Sequence, residues 1–197
     1  MNLSAGVHRV PRGHIAMVVT YLEMTARPAP RTAPVPEGHR LAPWPDPPLE
    51  DYRAIMRRIG KDWLWQGRLS LSDGELKRRI HGEDVDIMCL WDAETPVGIA
   101  ELKFKGSACN LVFFGVAASL IGTTGARALM ADAIDRAWVR DITRFDLNTC
   151  TLDHPKALDF YRRSGFVEYD RAVEITRDPR LNGVLPRAAA PNIAVLE

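Results

Sequence analysis

The spacing of apolar residues changes several times along the chain, and each change marks an element. His14 to Thr25, reading HIAMVVTYLEMT, puts Val18, Thr20 and Leu22 on one side and Val19, Tyr21 and Glu23 on the other, the period of a strand. Leu49 to Gly60 carries Tyr52, Ile55, Met56 and Ile59 at helical spacing, with Gly60 as the expected stop. Asp73 to Ile80 is a shorter helix, entered through Ser72 with Glu75 at the capping-box position. Three strand-like runs follow, Asp86 to Asp92, Pro96 to Lys105 and Ala108 to Ala117. The breaks between them, AET and GS, suit antiparallel hairpins. After Ala118 the period becomes helical, and Leu129, Ala133, Ile134 and Trp138 share a face behind a loop holding Gly122 and Gly125.

The stretch RFDLNTCT then reads as a strand that runs directly into a helix ending near Phe166. Asp153 is the expected N-cap, Pro155 sits where a missing N–H is tolerated, and Gly165 supplies the left-handed residue of the helix end. Val167 to Ile175 is a last alternating strand. Between the first strand and the first helix, Arg27 to Pro48 is rich in proline, which excludes a central strand or a helix interior. That connector is expected to wrap the surface or bridge two elements. The domain is read as residues 17–180, with 1–16 an upstream extension and 181–197 an Ala- and Pro-rich tail.

Composition narrows the function classes. A chain of 197 residues with 46% hydrophobic and 26% charged positions can bury one ordinary core and reads as soluble and globular. A net charge of +1 argues against nucleic acid, which needs a dense basic surface. No apolar run reaches membrane-spanning length and the first residues lack the apolar centre of a secretory leader, so no membrane contact and a cytoplasmic location are expected. Cys89, Cys109 and Cys150 each sit inside an apolar run without a CxxC partner and read as reduced core thiols. The five histidines are scattered without metal-ligand spacing, so no metal is expected.

Three places carry candidate chemistry. GTTGAR, Gly122 to Arg127, leads into a helix N-terminus, where free N–H groups and the helix dipole favour an anion. Trp63, Trp65 and Arg68 crowd the segment between the first two helices, either covering a core edge or lining a pocket. Tyr161 is either an amphipathic core residue or a proton donor.

The order of these elements, together with VTYLEM at Val19 to Met24, W-x-W-x-x-R at Trp63 to Arg68 and TCTLDHPKALDFYRRSGF at Thr149 to Phe166, resembles the GNAT N-acetyltransferases. It looks closest to a bacterial subgroup that carries the TCTLDHP motif. The resemblance implies an α/β (α+β) fold with a mixed central sheet of about six to seven strands, two short helices after the first strand and two more on the sheet. It also implies transfer of an acetyl group from acetyl-CoA, the co-substrate, to a primary amine by direct attack. Phe114, Gly115 and Val116 would meet the pantetheine arm, and Gly122, Thr123, Thr124, Gly125, Ala126 and Arg127 the pyrophosphate. Asn148 and Asp153 would complete the cofactor side, and Tyr161 would protonate the departing thiolate. Glu101 is the candidate base or an outward-facing strand residue. Trp63, Trp65 and Arg68 would line the acceptor side, where an arginine fits a substrate bearing a carboxylate.

Two departures stand out. Asn110 occupies a position where relatives often carry Glu, and Asn cannot act as a base. In the phosphate loop Ile121 replaces a basic or amide residue, and Thr124 replaces a glycine where a Cβ resists positive φ. The alternative reading is a degenerate GNAT-fold ligand-binding or interaction module with weak or no CoA binding. The acceptor expected is a small molecule or a peptide amine, and a homodimer is left open as the assembly.

Overall fold

The computed structural model describes residues 3–197. Seven strands form one sheet: β1 (His14–Met24), β2 (His39–Pro43), β3 (Val85–Asp92), β4 (Thr95–Lys105), β5 (Ala108–Val116), β6 (Arg144–Cys150) and β7 (Val167–Arg177). Their order is β2-β3-β4-β5-β6-β1-β7. Every neighbouring pair is antiparallel except β5 and β6. Four helices complete the fold: α1 (Leu49–Gly60), α2 (Asp73–Ile80), α3 (Gly125–Ala137) and α4 (Ala157–Ser164). This is the mixed α/β architecture, with a seven-stranded sheet and four helices among the described residues, that the resemblance implies. Among the described residues no helix is long and apolar enough to cross a membrane.

Strand alternation sends neighbouring residues to opposite layers. Ile87, Cys89 and Ile99 join Tyr52, Ile55, Met56 and Ile59 of α1 and Leu76 and Ile80 of α2 on one face. Met88, Ala100, Leu102 and Phe104 join Leu129, Met130, Ala133 and Ile134 of α3 and Tyr161 of α4 on the other. Both α1 and α2 span the residues their periodicity predicts. The Ser72–Glu75 capping box is formed, with Glu75 accepting from the Ser72 N–H at 3.0 Å and the Ser72 hydroxyl accepting from the Glu75 N–H at 3.4 Å.

Three expectations change. The proline-rich connector contains β2, which adds to the sheet edge beside β3; an edge strand tolerates Pro43 at its end because one side of it needs no partner. The end of the stretch read as an extension belongs to the sheet: β1 begins at His14, Ile15 is buried, and the Gly13 N–H donates to the Leu196 carbonyl at 2.7 Å. Part of 181–197 packs as well, since Leu185, Ala189 and Ala190 bury against Ile15 and Leu64. Arg180 pins that turn by pairing with Asp178 and donating to the carbonyls of Ala189, Ala190 and Ile193. Met1 and Asn2 lie outside the described residues.

Gly60 does not act as a left-handed stop. Its backbone stays helical at φ −95°, α1 runs on into a 3-10 turn at Lys61–Trp63, and the reversal falls on Leu64 at φ 55°. The glycine is needed for closeness, because a Cβ there would lie 2.5 Å from the Cβ of Trp65. Gly60→Ala is therefore expected to displace Trp65 and cost about 1–3 kcal/mol, the range for overpacking. A lowered urea midpoint at unchanged slope checks this; an unchanged midpoint would show that Trp65 moves freely.

Candidate active site

The parallel pair β5 and β6 is short. It holds only from Ala108 to Asn110, facing Arg144 to Asp146, and then the strands part. Asn110 fastens the last shared rung, its side-chain amide donating to the Asp146 carbonyl at 3.3 Å and to the Asp146 carboxylate. Beyond it, Leu111 to Val116 present a backbone edge toward a gap instead of toward β6. A bulge increases the bend: Leu102 faces Leu111 while Glu101 faces Phe113, which leaves Val112 without a partner.

The gap is a cleft of about 510 Å³, within the range of small-molecule sites. Alternation along β5 gives it two different mouths. Phe114 and Val116 turn toward α3 and α4, where Phe114 stacks on Phe160 at 5.5 Å between ring centroids and meets Tyr161 edge-on at 6.2 Å. Phe113 turns the other way and meets Trp65 at 5.4 Å. Gly115 shares that face; a Cβ on it would come within 2.7 Å of Ile59 and 3.0 Å of the Trp65 ring. The cleft is thus a slot through the sheet, open to both helical layers.

Helix α4 starts later than its sequence suggests. It begins at Ala157 with Lys156 before it, and Asp153 does not cap it. A turn closed by the Ala157 N–H on the His154 carbonyl at 2.8 Å separates Asp153 from the helix. The Asp153 carboxylate instead accepts from the Thr149 hydroxyl and the Cys150 N–H, both at 2.8 Å, and from the Trp65 indole N–H at 3.1 Å. The last bond spans the slot and braces the segment between α1 and α2 against the end of β6.

Tyr161 lines the slot from α4, and its hydroxyl makes no hydrogen bond among the described residues. Burial, and after it the Asp153 carboxylate, raise this phenol well above its ordinary value, so it stays protonated at neutral pH. The same two causes push the Cys150 thiol, which also lines the slot, up to about 11. It is therefore not an activated nucleophile.

Glu101 is not on the slot. It is fully buried on the α1 face, where one carboxylate oxygen accepts from Tyr52 and the other from Arg68. Burial first, and then the Glu101 charge, raise the Tyr52 phenol well above its usual range, which keeps it a donor. Arg68 in turn lies over the Phe113 ring at 5.2 Å. Glu101 and Arg68 therefore neutralise one another beneath the slot wall, which offsets the cost of burying a carboxylate so far from water. Neither the base expected of Glu101 nor the acceptor contact expected of Arg68 is supplied by this geometry.

The GTTGAR loop also differs from its expected form. The residue with positive φ is Gly122, at 84°, while Thr124 has φ −74° and an ordinary helical backbone, so its Cβ meets no obstacle. Gly125 is a packing glycine, with a Cβ there meeting Leu90 at 3.1 Å and Pro36 at 3.4 Å. Neither Thr124 nor Gly125 lines the slot, whereas Gly122, Thr123, Ala126 and Arg127 do. The Thr123 hydroxyl is occupied within the loop, accepting from the Gly125 N–H at 3.1 Å and donating to the Leu120 carbonyl at 2.8 Å. The amides of Thr124, Ala126 and Arg127 have no acceptor among the described residues, as expected for a first helical turn free to hold an anion.

The sequence profile of the acetyltransferase (GNAT) domain matches residues 68–176. The chain belongs to the GNAT acetyltransferase family. Solved structures of GNAT proteins share the fold. A GCN5-related N-acetyltransferase from Sphaerobacter thermophilus is 15% identical with a TM-score of 0.62, over 83% of this chain and 53% of its own. The ribosomal-protein alanine N-acetyltransferase from Escherichia coli is 14% identical with a TM-score of 0.55, over 71% and 94%. PaiA N-acetyltransferase from Thermoplasma acidophilum, in complex with coenzyme A, is 14% identical with a TM-score of 0.51, over 71% and 98%. This GNAT chain spans about half the length of the Sphaerobacter protein, and no curated protein matches it by sequence.

Of the residues singled out from the sequence, Trp63, Trp65, Phe114, Gly115, Val116, Asn148, Asp153 and Tyr161 come together around the slot. Phe113, Cys150, His154, Lys156, Arg163 and Glu174 also line it and were not assigned from the sequence. Cys150, His154 and Lys156 lie inside the TCTLDHPKAL stretch and could have been found there. Glu174 has no local signal, because only the pairing of β7 with β1 brings it to the slot.

Arg68→Ala would leave the Glu101 charge buried without its cation and is expected to cost about 3–5 kcal/mol of stability in urea unfolding. A loss below about 1 kcal/mol would mean that the charge is compensated elsewhere. At pH 7.5 Cys150 is expected to alkylate about 100-fold more slowly than a thiol with the unshifted pKa of 9.0, its rate rising with pH toward about 11. Mass-spectrometric labelling against time checks this, and a fast, pH-independent reaction would contradict it.

Proposed function

We propose that the protein transfers an acetyl group from acetyl-CoA to a primary amine by direct attack across the slot. The observation that carries this reading is the two-sided opening between β5 and β6. It lets two substrates enter from opposite layers and meet end to end, which replaces a bimolecular encounter by a held geometry.

The residues of the α3 and α4 side fit coenzyme A. The free amides of Thr124, Ala126 and Arg127 at the positive end of α3 suit a pyrophosphate, and Arg127, Lys156 and Arg163 add cations that have no ion-pair partner among the described residues. The unpaired edge of β5 suits an amide-bearing arm that docks as a strand would. Acetyl-CoA supplies the activated thioester when bound. Backbone N–H groups of that β5 edge polarise the carbonyl under attack. Tyr161 donates to the thiolate as it leaves. Burial keeps Tyr161 protonated, and the same desolvation makes a departing thiolate more basic and so a better acceptor of its proton.

The amine must lose a proton, since a lysine-like amine with a pKa of about 10.4 is mostly charged at neutral pH. Glu101 is buried in its ion pair, Asp153 has all its bonds to neighbours, and the His154 Nδ1 lone pair accepts the Lys156 N–H at 3.1 Å. Glu174, the unpaired carboxylate of the slot lining, stands at its open rim, and water entering there takes that proton.

The second reading, a ligand-binding module that does not use coenzyme A, is favoured by the withdrawal of Glu101 and by Ile121 in the phosphate loop. Calorimetric titration separates the two: acetyl-CoA is expected to bind, and no heat at millimolar concentration supports the module instead. With binding in hand, Tyr161→Phe is expected to lower kcat about 100-fold while acetyl-CoA affinity stays within about threefold. An unchanged kcat removes Tyr161 from the chemistry.

A further inference from the structure

Two carboxylates line the slot, Asp153 and Glu174. Asp153 has donors on both oxygens. Glu174 is exposed at the rim of the slot, with no hydrogen bond and no ion pair among the described residues.

Register decides which mouth Glu174 serves. On β7 it stands opposite Met17, and Met17 packs with Ile15 and Leu64. Two residues along the same face, the Thr176 hydroxyl accepts from Gln66 in the segment between α1 and α2, at 3.2 Å. Glu174 therefore belongs to the mouth walled by Trp63 and Trp65, opposite the α3 and α4 side where Arg127 and Arg163 stand. Arg68 has turned away from this mouth into its pair with Glu101. The wall there is aromatic, with Trp63 meeting His154 edge-on at 5.3 Å and Trp65 meeting Phe113 at a tilt of 58°.

We infer that Glu174 receives the ammonium end of the acceptor, and that the acceptor is a cationic amine with no carboxylate beside its amino group. This assignment rests on the acetyl-transfer reading of the slot. A carboxylate at the edge of an indole wall attracts a cation twice, by its own charge and through the negative faces of the rings. An amino acid would bring its carboxylate to the same wall, where no free guanidinium offsets repulsion from Glu174. Glu174 thus acts in specificity, selecting between amines of equal shape and different charge.

Tryptamine and tryptophan differ only by that carboxylate and serve as probes. Their affinities for the full chain are measured by calorimetry with free coenzyme A present, so that no transfer occurs. Tryptamine is expected to bind about tenfold more tightly than tryptophan. Glu174→Gln is expected to weaken tryptamine about tenfold and to leave tryptophan within about twofold, with Glu174→Asp keeping part of the preference. The assignment is overturned if wild-type protein binds tryptophan as tightly as tryptamine, if Glu174→Gln leaves tryptamine unchanged, or if neither amine binds. Coenzyme A affinity is read in the same titrations: its retention means that only the assignment of Glu174 has failed, while its absence in the wild type is the separate failure of the acetyl-transfer reading.

Discussion

A carboxylate with no access to water must be matched where it lies, and Glu101 is the point at which this protein meets that requirement. Its two oxygens draw Tyr52 from α1 and Arg68 from the segment after it onto the middle of β4. One buried charge thereby ties a helix, a loop and the sheet into a single unit. Because Arg68 also lies over Phe113, the same pairing sets the wall of the slot and the path of the chain that carries Trp63 and Trp65. Removing any member leaves the others as unpaired polar groups in an apolar layer, so the arrangement is held together by the cost of breaking it.

The slot depends on a second constraint, the early end of the β5–β6 pairing. Parallel strands this short would ordinarily be a weak seam, yet Asn110 anchors the last rung to Asp146 and the bulge at Val112 bends β5 away beyond it. Across the gap, the bond from Trp65 to Asp153 holds the two walls together. The sheet is therefore interrupted without being split. Its interruption exposes backbone that a continuous sheet would hide, and it places aromatic and charged side chains from both layers around one volume. The position of Asn110, where a catalytic carboxylate could be sought, has a structural use here.

Much of the fold is legible in local patterns. The limits of α1 and α2, the Ser72 capping box and the three-strand meander follow from periodicity and turn residues, because each is stabilised by neighbours close in sequence. β2 is hidden among the prolines of the connector, since an edge strand needs only one partner and that partner, β3, lies more than forty residues away. Gly60 and Gly125 are visible as glycines, but their purpose is not: both are needed for close packing, against Trp65 and Leu90, and neither has a positive φ. The N-cap expected of Asp153 fails for a related reason. A short acidic side chain before a helix can satisfy whichever donors are nearest, and here those are Thr149, Cys150 and Trp65.

By itself, then, the amino-acid sequence determined α1 and α2, the order along the chain of every strand except β2, the glycine loop at the start of α3 and the presence of Tyr161 on a helix after a strand. These rest on propensity, capping and hydrophobic period, which act over a few residues. Tertiary structure alone decided that Glu101 and Arg68 neutralise each other below the surface, that Thr124 needs no special backbone, and that Glu174 reaches the slot. Each of those outcomes depends on what a side chain meets after strands distant in sequence have paired, and charge, burial and strand register are properties of that meeting.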